Sequence, residues 1–174
     1  TTLFRSLAVL FQPSANPGAI ANLFQVQTGS GSERACISID ATGKPGLRYR
    51  RLDADAVTQV TGAASLALNQ PTLFIAVFDP GASNSATLWV NGVQVATGAF
   101  LSSGSFSATN SIAVQICVLG ATFLSGIGRE FDMLASSLTT TQRQKLEGDI
   151  AWRNGVNASV LPANHPYFSS APTA

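Results

Sequence analysis

The sequence predicts an all-β fold, an antiparallel two-sheet sandwich closed by one C-terminal helix. Three observations carry this. Short apolar runs separated by Gly, Pro, Asn and Ser clusters follow one another from Leu3 to Leu134, with no strand–helix–strand alternation. Asn91-Gly92 stands between two alternating runs, as a tight hairpin requires. Only the stretch from Leu138 to Pro166 reads as helix and tail.

The 174 residues suit one domain with a proper core, 1–137 forming the sandwich and 138–174 the closing helix and tail. Charged residues make up 11% of the chain, against roughly a quarter in an ordinary soluble domain, so hydroxyls and amides must carry solubility. Such a surface suits secreted or virion proteins. A net charge of +1 offers no basic footprint for nucleic acid, and no apolar run is long enough to cross a bilayer. The Thr-Thr start, without Met or a leader, suggests a processed end or a piece of a longer polypeptide. Two cysteines, Cys36 and Cys117, cannot hold a metal alone and read as buried free thiols. Pairing them would need an oxidising compartment.

Leu3–Gln12 is the first strand, stopped by Pro13. Asn22–Thr28 alternates Leu23, Gln25 and Gln27 against Phe24 and Val26, and a GSGS turn follows. Ala35–Asp40 places Ala35, Ile37 and Ile39 against Cys36, Ser38 and Asp40, the mark of a half-buried strand. Leu47–Leu52 sets Leu47, Tyr49 and Arg51 against Arg48 and Arg50. Ala56–Thr61 is a weaker strand. Pro71–Asp79 is apolar on both faces, so it belongs in the middle of a sheet covered on both sides. In the hairpin Ala86–Thr97, a two-residue type I′ turn would put Val90 opposite Val93, Leu88 opposite Val95 and Trp89 opposite Gln94. After a Ser-rich connection, Ser111–Leu119 alternates Ile112, Val114, Ile116 and Val118 against Ala113, Gln115 and Cys117. Gly120–Gly128 reads as a loop and Arg129–Leu134 as the last of about ten strands.

The helix is expected over about 139–154. Thr139 is a good N-cap, and Gln142 three residues on completes a capping box. Leu146, Ile150 and Ala151, with Trp152 nearby, form a short apolar stripe, and Gly155 is a natural terminator.

This wording resembles a known family. Leu138, the Thr cap, Arg143-Gln144-Lys145, Glu147-Gly148, Ala151-Trp152, a Gly, Leu161-Pro162 and His165-Pro166-Tyr167 are similar to the closing signature of concanavalin A-like (laminin-G-like) jelly-roll domains. The variant is that of phage tail-fibre or spike and bacterial surface proteins. The hairpin LWVNGVQVA and the strand Phe131–Leu134 match its pattern too. The likeness is strong over the last third and fair from Phe74. Asn154 and Asp149 stand where the family often carries aromatics. The resemblance implies a jelly roll with a helix across it, and often glycan binding.

Candidate ligand-binding residues follow from chemistry. Trp89, with Gln94 opposite, could stack its indole plane on a pyranose, unless a loop or the other sheet covers that face. Arg48 and Arg50 share a face and could take the carboxylate of an acidic glycan in bidentate contacts, or simply form a solvated strand edge. Tyr49 between them points the other way, so the three cannot serve one pocket. Asp40, Asp79 and Asn84 offer oxygens to a calcium ion, but Ca2+ needs about six to eight, and no clustered Asp/Asn run supplies them. No cofactor or metal is expected. The single histidine, His165, reads as packing or hydrogen bonding, and Trp152 as core.

No catalytic constellation is visible. Jelly-roll glucanases need carboxylates in an E-x-D-x-E run, and the three glutamates here, Glu33, Glu130 and Glu147, form none. The expectation is therefore a non-catalytic carbohydrate-binding module in a virion or extracellular setting, such as a phage fibre, spike or capsid decoration. Its partners would be surface glycans, and other virion proteins or copies of itself. Two alternatives stand beside it: an assembly module without sugar binding, and an accessory domain of a secreted glycoside hydrolase.

Overall fold

The computed structural model describes residues 5–28, 33–81, 83–104, 106, 112–119 and 122–173. The expectations for Leu3, Phe4, the GSGS turn, Ser111, the start of the Gly120 loop and much of the Ser-rich connection lie outside them. Among the described residues there are eleven strands: β1 (Ser6–Pro13), β2 (Ala21–Thr28), β3 (Glu33–Ile39), β4 (Pro45–Tyr49), β5 (Thr58–Thr61), β6 (Thr72–Asp79), β7 (Ser85–Val90), β8 (Val93–Ala99), β9 (Ile112–Leu119), β10 (Thr122–Phe123) and β11 (Gly126–Leu134). Helices α1 (Thr140–Arg153) and α2 (Asn157–Val160) follow.

The strands form two antiparallel sheets, one of five strands ordered β11-β1-β6-β7-β8 and one of six ordered β10-β9-β2-β3-β4-β5. The doubly apolar β6 lies in the middle of the first, as its composition demands. Between the sheets lies a core that includes Leu7, Val9, Phe24, Ile37, Phe74 and Leu88.

Several local expectations shift. Asn91 and Gly92 both have positive φ, 51° and 75°, so the type I′ turn is present with Val90 opposite Val93 and Trp89 opposite Gln94. A bulge then places Leu88 opposite Ala96 rather than Val95. A second bulge in β2, between Asn22 and Phe24, turns Leu23 into the core instead of leaving it with Gln25. β4 ends at Tyr49, so Arg51 lies in the following turn, where its Nε donates to Ser102 Oγ at 2.8 Å. The last strand starts at Gly126, three residues before its expected beginning.

Helix α1 forms where the caps place it. The Thr139–Gln142 capping box closes its start, and Gly155 follows its end at φ 65°. Its buried residues are Arg143, Glu147, Gly148, Ile150 and Ala151. Ile150 and Ala151 join Val156, Val160 and Leu161 against Ala8, Leu10, Leu73, Ile75 and Val77. The outer face of the five-stranded sheet thus becomes a second core beneath the helix.

Candidate binding face

On the six-stranded sheet the outward residues are of another kind. Register places Gln115, Gln25, Cys36, Arg48 and Gln59 in one row across β9, β2, β3, β4 and β5. Asn22 and Ser38 pair directly in the adjacent row. Side chains directly opposite one another across a sheet share a face, and alternation turns this set away from the core. Their polar groups hold one another. Asn22 Nδ2 donates to Gln25 Oε1, Gln27 Nε2 donates to Gln115 Oε1 at 2.7 Å, and Arg48 Nη1 reaches Asn22 Oδ1 at 3.5 Å. Although they face outward, Gln25, Cys36 and Ser38 are only 2, 0 and 3% exposed. The face can offer amide donors and acceptors to hydroxyls, and a guanidinium to an acid.

At its margin, Arg34 Nη1 donates to Arg51 O at 2.7 Å and Nη2 pairs with Asp53 at 3.0 Å. Burial draws the Arg34 pKa down from its ordinary value, and the Asp53 carboxylate opposes the shift.

The sequence candidates separate onto three surfaces. Arg48 joins the amide row. Arg50 lies just past β4, where its Nη1 donates to Asp53 O at 3.0 Å. Tyr49 is between the sheets, with Phe100 and Phe78 at centroid distances of 4.7 and 6.2 Å and its hydroxyl donating to Ala99 O at 3.3 Å. Burial pushes its pKa up to about 12. Trp89 and the exposed Gln94 belong to the five-stranded sheet. The guanidinium of Arg143 sits over the Trp89 ring at 4.7 Å, and the indole packs against the core beneath α1. The candidate face therefore gathers Arg48 but neither Trp89 nor Tyr49.

The residues weighed for calcium lie on two turns, Asp40 on one and Asp79 with Asn84 on the other, and the two carboxylates are committed to local bonds. Asp40 accepts from the Thr42 and Lys44 amides at 2.8 and 2.9 Å. Asp79 pairs with Arg5 at 2.8 Å, and Asn84 Nδ2 donates to Phe100 O at 3.2 Å. Among the described residues no group of three or more His, Cys, Asp or Glu converges as metal ligands would. Cys36 and Cys117 are free thiols. Burial pushes the Cys117 thiol up, and its backbone takes φ 55°, opposite the bulge in β2.

Sequence reasoning missed two carboxylate arrangements. Glu130 and Asp132 share one face of β11, and Glu130 accepts from Arg153 Nη2 and Asn154 Nδ2, each at 2.7 Å. Burial raises the Glu130 carboxyl, Asn154 opposes this, and Asp132 raises it further. The i, i+2 spacing was the available signal. The second is Glu147, fully buried, with Arg143 Nη1 at 2.5 Å on one oxygen and His165 Nε2 at 3.0 Å on the other. Its i, i+4 spacing from Arg143 was visible, but its burial was not.

Comparison with known structures decides the fold. A native pentraxin from Limulus polyphemus superposes with a TM-score of 0.62 at 16% identity, over 83% of this chain and 69% of that one. The CBM40 module of the Ruminococcus gnavus IT-sialidase gives 0.62 at 16%, over 81% and 80%. The fold is a jelly roll. A sialidase from Streptococcus pneumoniae matches at 0.61 and 16%, over 80% of this chain and 23% of its own length. The R. gnavus module has also been seen bound to α2,3-sialyllactose. No protein-family profile and no curated protein sequence matches the chain.

Proposed function

We propose that this jelly roll is a non-catalytic carbohydrate-binding module whose ligand lies on the outer face of the six-stranded sheet. The observation that carries the reading is the row Gln115–Gln25–Cys36–Arg48–Gln59 with Asn22 and Ser38 beside it, which sets amides and a guanidinium on one outer face. The sialyllactose seen on the R. gnavus module supports a glycan ligand, and Arg48 suits one that carries a carboxylate. Trp89 and Gln94 on the opposite sheet form a secondary candidate surface. The C-terminal wording and low charge fit display on a virion or in an extracellular setting, as in a phage fibre, spike or capsid decoration that recognises host glycans. No described helix is long and apolar enough to cross a membrane.

A glycan array with neutral and acidic probes tests this. Binding to acidic probes that Arg48→Ala abolishes and Trp89→Ala spares is the expected outcome. An array without hits, with no binding to host cells, overturns it.

One observation favours a second reading, assembly through copies of this chain. Val114 and Ile116 on β9 and Ile127 and Met133 on β11 are 45, 46, 55 and 44% exposed. A mass in solution above that of the monomer, lost on charging these positions, would support that role.

A further inference from the structure

The buried polar cluster under the C-terminal tail has no part in the candidate binding face. Glu147 is fully buried, and the side chains of Arg143 and His165 are 8 and 2% exposed. Glu147 Oε1 takes Arg143 Nη1, and Oε2 meets His165 Nε2. On the other side of the imidazole, the backbone N–H of Tyr167 donates to Nδ1 at 3.2 Å. A backbone N–H can only donate, so Nδ1 is an acceptor and the ring proton sits on Nε2, directed at Glu147. The network thus assigns a neutral imidazole in one tautomer.

We propose that His165 is a proton-operated latch: the neutral ring, bridging Glu147 and the Tyr167 amide, holds the C-terminal tail on the helix, and its protonation releases that tail.

Two costs arise together when a proton arrives at Nδ1. It confronts the Tyr167 N–H, donor against donor, and that amide loses its acceptor. It also adds a positive charge to a site where Arg143 already balances Glu147, closed to water. Among the described residues, Glu147 and Arg143 are the charged groups bonded within this cluster. The hairpin contributes uncharged Gly92, where an added Cβ would lie 3.4 Å from His165 Cδ2, and the tail contributes the Tyr167 ring at 6.0 Å. On α1, Lys145 and Asp149 line an exposed groove beside Leu134 and Leu138, and Arg153 is engaged by Glu130 and Asp149. Lifting the tail removes both costs, because the protonated ring then reaches water.

The segment that would move is held by the packing of Phe168 on the core beneath α1, by Tyr167 and Pro172 against Gly148, and by two side-chain bonds. Trp152 Nε1 donates to Tyr167 O at 2.8 Å, and Asn157 Nδ2 donates to Phe168 O at 3.1 Å.

The chain supplies its own probes. It has one histidine, so imidazole NMR signals need no assignment by mutation, and its two tryptophans both lie at this clasp. At about pH 8 the expected signals are those of the Nε2-protonated neutral ring. On acidification to about pH 5, which spans the ~6.5 of a free imidazole, tail amides from Tyr167 to Phe168 should exchange at least about tenfold faster. Tryptophan emission should shift to the red with the same midpoint, while the far-ultraviolet β signal holds. His165→Gln, which cannot take up the proton, should show a flat profile. An Nδ1-protonated tautomer, unchanged wild-type exchange, or exchange that follows a midpoint other than that of the imidazole signals would overturn the latch. So would a His165→Gln profile identical to wild type, which would assign the change to a carboxyl such as Glu130. The wild-type measurements decide the matter even where the variant fails to fold.

Discussion

The outer faces of the two sheets are built from the same alternation and end in opposite roles. On the five-stranded sheet, Ala8, Leu10, Leu73, Ile75 and Val77 point outward, and that apolar surface is buried under α1, α2 and the tail. On the six-stranded sheet the outward positions hold Ser38 together with Asn22, Gln25 and Arg48, and Asn22 bonds to both of the last two. The difference teaches what a jelly roll can leave available. An apolar outer face needs a cover, and the cover consumes it. A polar outer face that satisfies its own groups needs none, and can exchange some of those bonds for a ligand's.

Four measurements probe this contrast. The largest effect should come from Glu147→Ala, which strands Arg143 and His165 in a closed site; breaking such a buried pair costs about 3–5 kcal/mol, readable by urea unfolding. Next, Ile75→Ala beneath the helix should cost about 2–5 kcal/mol through the cavity it leaves. A loss under ~1 kcal/mol would mean that the helix does not press on that face.

Arg48→Ala on the other sheet should change stability by less than about 1 kcal/mol while glycan binding disappears. A large loss of stability there would erase the distinction between a structural and an available face. The smallest effect concerns the space between the sheets. An unfolded tyrosine ionises near 10, and Tyr49 at about 12, so the fold disfavours its phenolate. Stability should therefore be intact below about pH 10 and fall as pH rises towards 12, by an amount missing in Tyr49→Phe. Melting curves across that range, with tyrosinate absorbance, check it.

Local signals were legible wherever a residue's own chemistry decides the backbone. Thr139, Gln142 and Gly155 bound the helix to within a residue, and Asn91-Gly92 set its turn. The bulges were hidden, because an extra residue in one strand is visible only against its partner. Hence Leu23 was assigned to the wrong face, and Leu88 to the wrong neighbour. The alternation of Gln25, Arg48 and Gln115 along their own strands was legible, but not that the three fall in one row of the candidate face. Those residues are 23 or more positions apart, and only strand pairing joins them.

By itself, the sequence determined the strand periodicity, the helix caps and the tight turn, all of which depend on residues a few positions apart. Tertiary structure alone decided which outward face is covered. It took Trp89 out of open solvent by laying Arg143 across its ring, and it closed Glu147 and His165 away from water. Burial depends on what the rest of the chain brings against a residue, and the patterning along one strand or helix does not carry that information.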